Sequence, residues 1–433
     1  MREMKDSGIQ WLREYPANWN LIKIKYCLKE RVEKNNPVRT TDILSLTAKQ
    51  GVIPYDQKEG GGNKPKEDVS AYRLAYPGDI VMNSMNILSG SVGLSNYFGC
   101  VSPVYYMLRP IDKSEDVRFY NYIFQSTVFQ RSLYGLGNGI LIKESGNGKL
   151  NTIRMRIPID KFGGLFIPVA PIQEQKKIAD FLDAKCSEID ALIADIQTQI
   201  DTLEQYKRSI ITEAVTKGMN PDVEMKDSGN QYWGRIPTNW HLSDIKYLFE
   251  IVKRIAGKEG YDILSVTQKG IKIKDISNNE GQVAESYANY QFVYPGDFVM
   301  NHMDLLTGWV DCSKLFGVTS RDYRVFRLRD KNNSLSYYKY IMQTCYMNRI
   351  FYSLGQGVSN LGRWRLQTSS FNNFMVPVPP VEVQESIANY LDKKCTEINA
   401  CIDDKQRQLE VLEEYKKSLI YEYVTGKKEV PAI

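Results

Sequence analysis

Histidine is nearly absent from this chain: 433 residues contain two, His241 and His302. They cannot supply a multi-histidine metal site, and each reads as an ordinary structural or surface residue. The seven cysteines include no Cys-x-x-Cys pair. An odd number without ligand spacing fits free thiols in a reducing compartment better than a disulfide framework. No apolar run reaches the roughly eighteen residues a membrane helix needs. The opening Met-Arg-Glu-Met-Lys-Asp lacks the apolar core of a secretion signal, and the expected location is cytoplasmic.

Catalytic signatures are missing as well. No Gly-x-x-x-x-Gly-Lys-Ser/Thr loop is present to hold a nucleotide, and Gly135-Leu-Gly-Asn-Gly139 lacks dinucleotide spacing. No Asn-Pro-Pro-Tyr or Asp-Pro-Pro-Tyr segment exists to hold a base for methyl transfer. Pro221-Asp-Val-Glu-Met-Lys226 looks superficially like a nuclease signature. Asp222 and Glu224 stand only two residues apart, however, and Arg2-Glu3-Met4-Lys5 in the matching stretch has no Asp. The similarity is read as coincidence.

What the chain does contain is itself, twice. Residues 4–26 match 225–247 at 13 of 23 positions, beginning with Met-Lys-Asp-Ser-Gly in both. Tyr76-Pro-Gly-Asp-Ile-Val-Met-Asn83 returns as Tyr294-Pro-Gly-Asp-Phe-Val-Met-Asn301 at an offset of 218. Residues 168–217 match 377–426 without a gap, with 26 identities in 50 at an offset of 209. The first copy therefore carries nine extra residues between about 139 and 167. Two copies of so long a period indicate a tandem duplication and not a solenoid.

The well-matched blocks read as long helices. Leu182, Ile189, Ile196, Leu203 and Ile210 fall seven apart, and Cys186, Ile193 and Ile200 interleave at heptad spacing. The second copy repeats the seam, interrupted by Lys405. Pro171 and Pro380 stand where each helix would begin, Gly218 and Gly426 where each would stop. About 40 helical residues span about 60 Å and need a partner for the apolar stripe. The other copy is the obvious one, giving a coiled-coil pair. The poorly matched blocks read as mixed α and β: strands over 42–47, 79–82 and 104–108, helices over 119–133 and 337–354. The boundaries expected are 1–167, first mixed domain; 168–220, first helix; 221–376, second mixed domain; 377–433, second helix.

Charge divides along the same lines. The first helix block (172–217) holds nine acids against six bases and the second (381–424) ten against six, so the remainder carries +12 where the whole carries +5. A polyanion would therefore meet the divergent blocks. A solvated basic surface is the plainer alternative.

Taken together, Met-Lys-Asp-Ser-Gly with Pro-Ala-Asn-Trp and Pro-Thr-Asn-Trp, Tyr-Pro-Gly-Asp-Ile-Val-Met-Asn, Val101-Ser-Pro-Val-Tyr105, and Pro168-x-x-Pro-x-x-Glu-Gln175 leading into Ala179-Asp-Phe-Leu-Asp183 form an ordered set. In that order the chain resembles the specificity subunit of type I restriction–modification enzymes. The resemblance covers essentially the whole chain. It implies an α+β fold: two target-recognition domains separated by an antiparallel coiled coil, each domain reading half of a split double-stranded DNA target. It further implies partners: modification subunits, two by expectation, that methylate adenine with S-adenosylmethionine, and restriction subunits that use ATP and Mg²⁺. The chain itself would be non-catalytic and without cofactor.

Base reading needs side chains that reach groove edges, whereas phosphate contacts only position a protein. Loop residues that differ between copies within matched frames are the candidates. Ser84-Met85-Asn86 faces His302-Met303-Asp304 in the second copy. Arg321 and Asp322 stand where Pro103 and Val104 stood. After the glycine-rich loop come Lys143 in one copy and Arg363, Trp364 and Arg365 in the other. Variable surface loops, with Trp364 packed as core, are the structural alternative. Three other functions stay open: an assembly scaffold that binds no DNA, a nuclease or methyltransferase with an unrecognised site, and the recognition subunit of a related restriction class.

Overall fold

The computed structural model describes residues 2–47, 50–58, 65–85, 90–137, 156–275, 286–358 and 363–431. Two compact units emerge, one of residues 1–196 with 408–433, the other of 197–407. The cuts fall inside both long helices, so the helices are shared between the units and do not stand apart from them.

Each unit is built on a four-stranded antiparallel sheet. In the first, β1 (Leu28–Glu30), β2 (Ile80–Asn83), β3 (Val92–Leu94) and β4 (Tyr105–Pro110) lie in the order β1-β4-β2-β3. In the second, β5 (Phe249–Val252), β6 (Phe298–Met300), β7 (Val310–Cys312) and β8 (Arg324–Leu328) repeat it as β5-β8-β6-β7. The Tyr-Pro-Gly-Asp signature precedes β2 and β6. Its Asp79 carboxylate accepts from the Tyr76 amide at 3.0 Å, and Asp297 from Tyr294 at 2.8 Å. Glycines 78 and 296 take φ of +85° and +90°, a region that favours Gly. The motif is a self-locked turn that launches a core strand.

Helices 119–133 and 337–354 are each broken. The first runs Val117–Gln125 and Thr127–Ser132, interrupted at extended Ser126. Gln130 bends its side-chain amide back to the Phe124 carbonyl at 2.8 Å, pairing an acceptor that the break leaves open. The second runs Leu335–Met347 and Ile350–Ser353, interrupted by Arg349 at φ +55°.

The long helices occupy Ile172–Lys217 and Val381–Val424, each preceded by a proline and followed by a glycine at positive φ. A buried glutamine fixes each start. Gln175 accepts from the Asp116 amide and donates to the Ala170 carbonyl; Gln384 accepts from Ser334 and donates to the Pro379 carbonyl. Within each unit a stretch of one long helix runs antiparallel to a stretch of the other. In the first, Lys416 pairs with Asp190 at 2.6 Å and the Phe181 and Tyr423 rings lie 4.5 Å apart. In the second, Lys207 donates to Asn399 at 2.7 Å.

The far end of each helix completes a core. Ile211, Ala214 and Val215 pack with Trp240, Phe298 and Tyr337 in the second unit. Leu419, Ile420, Tyr423 and Val424, their equivalents, pack with Trp19 and Phe119 in the first. The chain's last helix thus does for the first unit what the first long helix does for the second. Burying each of the Ile, Leu and Val side chains among these contributes about 2 kcal/mol, enough to make the helix ends part of the domains they close.

Candidate nucleic-acid interface

In the second unit three separate segments converge where β6 ends. The first follows Met300: Asn301 turns the chain, its side chain accepting from the Met303 amide at 3.3 Å while Tyr346 donates to its carbonyl at 2.7 Å. Asp304 then caps the loop, accepting from the Leu306 and Thr307 amides and the Thr307 hydroxyl. Only glycine fits at 308, since a Cβ there would lie 2.0 Å from the Asp304 carbonyl. The second segment is the turn from Ser320 to Tyr323 before β8, which buried Gln291 clamps by donating to both carbonyls, at 3.0 and 2.7 Å. The third is the hairpin of Gln356–Val358 with Arg363–Arg365, whose next residue, Leu366, donates its amide to the His302 carbonyl at 3.0 Å.

Arg324 lies beneath this convergence. It is 4% exposed, and its guanidinium donates to the Leu366 carbonyl and the Thr368 hydroxyl and covers the Phe371 ring at 4.5 Å. Among the described residues no carboxylate pairs with it, and burial lowers its pKa to about 10. His302 is lowered to about 4, first by burial and then by the charges of Arg324 and Arg365, with Asp322 opposing. The imidazole is therefore neutral at pH 7, with one nitrogen able to donate and one to accept. Its Nδ1 is buried without a partner among the described residues. Arg321, Asp322 and Arg365 are exposed around it.

The first unit repeats the frame with other side chains. Asn83 accepts from the Met85 amide at 3.0 Å, and Ile157 donates to the Ser84 carbonyl at 3.0 Å as Leu366 does to His302. Tyr106 replaces Arg324 and donates to the Ile157 carbonyl at 3.1 Å. Arg73 replaces Gln291 and donates to the Tyr105 carbonyl at 3.2 Å. Exposed Arg156 stands where Arg365 does, its guanidinium 6.0 Å from the Tyr106 ring. The scaffold is common; the presented groups are not.

Residues 237–411 match the type I restriction modification DNA specificity domain. The type I restriction enzyme MjaVIII specificity subunit of Methanocaldococcus jannaschii is 26% identical over 292 residues, covering 62% of this chain and 64% of that one. The putative type I restriction enzyme MjaX specificity subunit of the same organism is 25% identical over 286 residues, covering 61% and 59%. The matches thus span less than two thirds of these relatives. A solved structure from work on complex assembly and conformational transition of the type I R-M system shares the fold, with a TM-score of 0.66 at 12% identity over 96% of this chain and 99% of that one. Residues 237–411 thus carry a match to the type I restriction modification DNA specificity domain, and the chain shares the fold of that solved type I R-M structure.

The specificity-domain match lies over the convergent cluster of the second unit, and four of the ten candidate reading residues meet there. His302, Arg321, Asp322 and Arg365 come together from three segments. Met85 is half-buried at the equivalent place in the first unit. Ser84 is corrected: it is fully buried, and its hydroxyl donates to the Val104 carbonyl at 2.7 Å, so it serves the fold. The Asp304 carboxylate is likewise committed to its own loop. Trp364 is a packing residue whose indole donates to the Tyr352 carbonyl at 2.7 Å and lies over Gly355. Asn86 and Lys143 lie outside the described residues, as does the side chain of Arg363.

Arg156 is a further candidate, not named from the sequence. Its signal is in the sequence: Arg154-Met-Arg156 aligns with Arg363-Trp-Arg365 at the offset of 209 that already governs the helices. The deep partners Tyr106 and Arg324 carry no comparable signal, because each looks like an ordinary strand residue. No group of three or more His, Cys, Asp or Glu side chains that could hold a metal ion occurs among the described residues. Nor, among them, is any helix long and apolar enough to cross a membrane.

Proposed function

We propose that this chain is the DNA-reading specificity subunit of a type I restriction–modification enzyme, recognising a bipartite duplex target with one half read by each unit. The observation that carries this is the matched pair of clusters. A common backbone frame presents His302, Arg321, Asp322 and Arg365 in one unit and Met85 and Arg156 in the other. Arg can fork onto the O6 and N7 of guanine, Asp can accept from the amino group of cytosine, and a neutral imidazole offers a donor and an acceptor. Different groups on one frame suit two unlike half-sites.

On this reading the chain performs no chemistry and needs no cofactor of its own. Two modification subunits supply S-adenosylmethionine-dependent adenine methylation, restriction subunits supply ATP- and Mg²⁺-dependent cleavage, and the assembly works in the cytoplasm. The long helices support docking of such partners, since Tyr206 and Tyr415, equivalent in the two copies, are 51% and 52% exposed.

The test is a methylation map. The complex carrying Arg321→Ala with Asp322→Ala should methylate sites altered in one half only. An unchanged map would remove the turn from the reading, and a wild-type complex that ignores duplex DNA would sink the reading itself.

A further inference from the structure

A second cationic surface lies at the opposite end of β6 from the reading cluster. It is an open groove of about 410 Å³, lined by Arg254, Tyr294, Asp297, Arg327 and Lys331 among others. Arg254 pairs with Asp297 and stacks 4.8 Å from the Tyr294 ring. Arg327 pairs with Glu250 on the neighbouring strand. Lys331 is exposed and has no hydrogen-bond or ion-pair partner among the described residues, which leaves the groove one cation in surplus.

The first unit carries a related set, with Lys29 in the place of Glu250 and with Glu33 pairing Arg31 and Arg39. Arg31 pairs with Asp79 and stacks 4.2 Å from the Tyr76 ring, Arg109 acts on the same Asp79, and Lys113 is exposed and unpartnered among the described residues. Arg109-x-x-Asp-Lys113 aligns with Arg327-x-x-Asp-Lys331 at the offset of 218. The stacking arginine has not stayed in register: Arg254 aligns with Glu33, two residues beyond Arg31, yet side chains two apart on a strand share a face and both reach the same Tyr and Asp. Within domains whose reading residues have diverged, the tyrosine, aspartate, strand arginine and lysine of this surface recur. Nothing in the fold requires Lys113 or Lys331, so the constraint lies outside the chain.

We propose that these paired basic surfaces grip phosphates of the DNA backbone, one grip per half-site, independently of sequence. The inference rests on the DNA-reading role proposed above. A partner that differs in base sequence between half-sites but offers the same anion to both is a duplex backbone. The spacing agrees. From Asp297 to Asn301 the strand advances about 13 Å at about 3.3 Å per residue, near the roughly 12 Å width of the major groove. A domain with base-reading groups at one end of such a strand meets a flanking phosphate at the other.

The experiment uses the full chain assembled with its modification subunits and measures duplex affinity against salt. Lys113→Ala with Lys331→Ala should weaken binding to cognate and scrambled duplexes by the same factor, and make the log–log salt slope shallower by about 2, about one per lost phosphate contact. Lys113→Arg with Lys331→Arg should restore the slope. An unchanged slope in the alanine variant overturns the proposal, as does loss of subunit assembly with the slope intact, which would make the groove a protein-docking surface. A wild-type complex with no duplex affinity would instead overturn the reading role on which it rests.

Discussion

The amide of Leu366 donates to the carbonyl of His302 at 3.0 Å, joining two segments 64 positions apart. Ile157 and Ser84 make the same bond at the same length across 73 positions. The pair ties the glycine-rich hairpin segment to the loop after the central strand, which is how Arg365 in one unit and Arg156 in the other come to flank the loop residues. Their equivalence gives the clearest functional prediction. Arg365→Ala should cost about 1–3 kcal/mol in binding and relax one half of the recognised sequence. Arg156→Ala should relax the other half only. Competition binding with half-site-substituted duplexes distinguishes the two, and variants that affect both halves equally would reassign these arginines to the backbone.

The pH dependence of the cluster follows from His302. Its folded pKa of about 4 lies below the ordinary 6.5, chiefly through burial. Below pH 6.5 the unfolded chain takes up a proton that the folded chain refuses, so stability falls as the pH drops from 6.5 to 4 and stays level beneath that. His302→Gln keeps a polar side chain without this titration. Urea midpoints at pH 7, 5.5 and 4.5 should therefore fall less steeply for the variant. Parallel profiles would mean that the imidazole is solvated.

The start of each long helix offers a stability test. Gln175→Leu leaves the Asp116 amide without its side-chain acceptor, and Gln384→Leu does the same to Ser334. Stranding a buried donor costs about 1–3 kcal/mol. Each variant should lower the denaturation midpoint, whereas Gln→Glu keeps the acceptor and loses the donor to the preceding carbonyl and, at 384, also the bond to the Asn333 side chain. Midpoints equal to wild type would show that water replaces the side chain.

Much of this is legible in the sequence. The heptad seam and its Pro and Gly limits locate both long helices to within a residue or two, because seven-residue periodicity is a strong local signal. The reading cluster was legible only as loose parts. His302, Asp322 and Arg365 meet through backbone bonds between distant segments, which no local pattern encodes. Ser84 looked like the partner of His302 and proved to be core, since position in a frame does not say which way a side chain turns. The nine surplus residues of the first copy hid Arg156. The sharing of both helices between the units was also invisible: spacing says that a stripe needs a partner, but not which core the far end of the helix will complete.

That completion can be tested at two glycines. Gly426 and Gly218 end the long helices at φ of +68° and +76°, facing Trp19 and Trp240. They are not equally crowded. A Cβ on Gly426 would fall 2.3 Å from the Pro16 ring and 3.1 Å from Trp19, while one on Gly218 would meet nothing nearer than 3.4 Å. Gly218→Ala should therefore cost about 1 kcal/mol, the ordinary penalty of a side chain at positive φ. Gly426→Ala adds a clash with a rigid proline, and about 2–4 kcal/mol is expected. The loss should appear in the first unit, although the substitution lies seven residues from the chain's end. Hydrogen exchange resolves the two units: Gly426→Ala should speed exchange around Trp19 and α-helical residues 117–125 while leaving 335–347 protected. Uniform loss of protection, or none, would mean that the C-terminal helix end does not hold the first unit together.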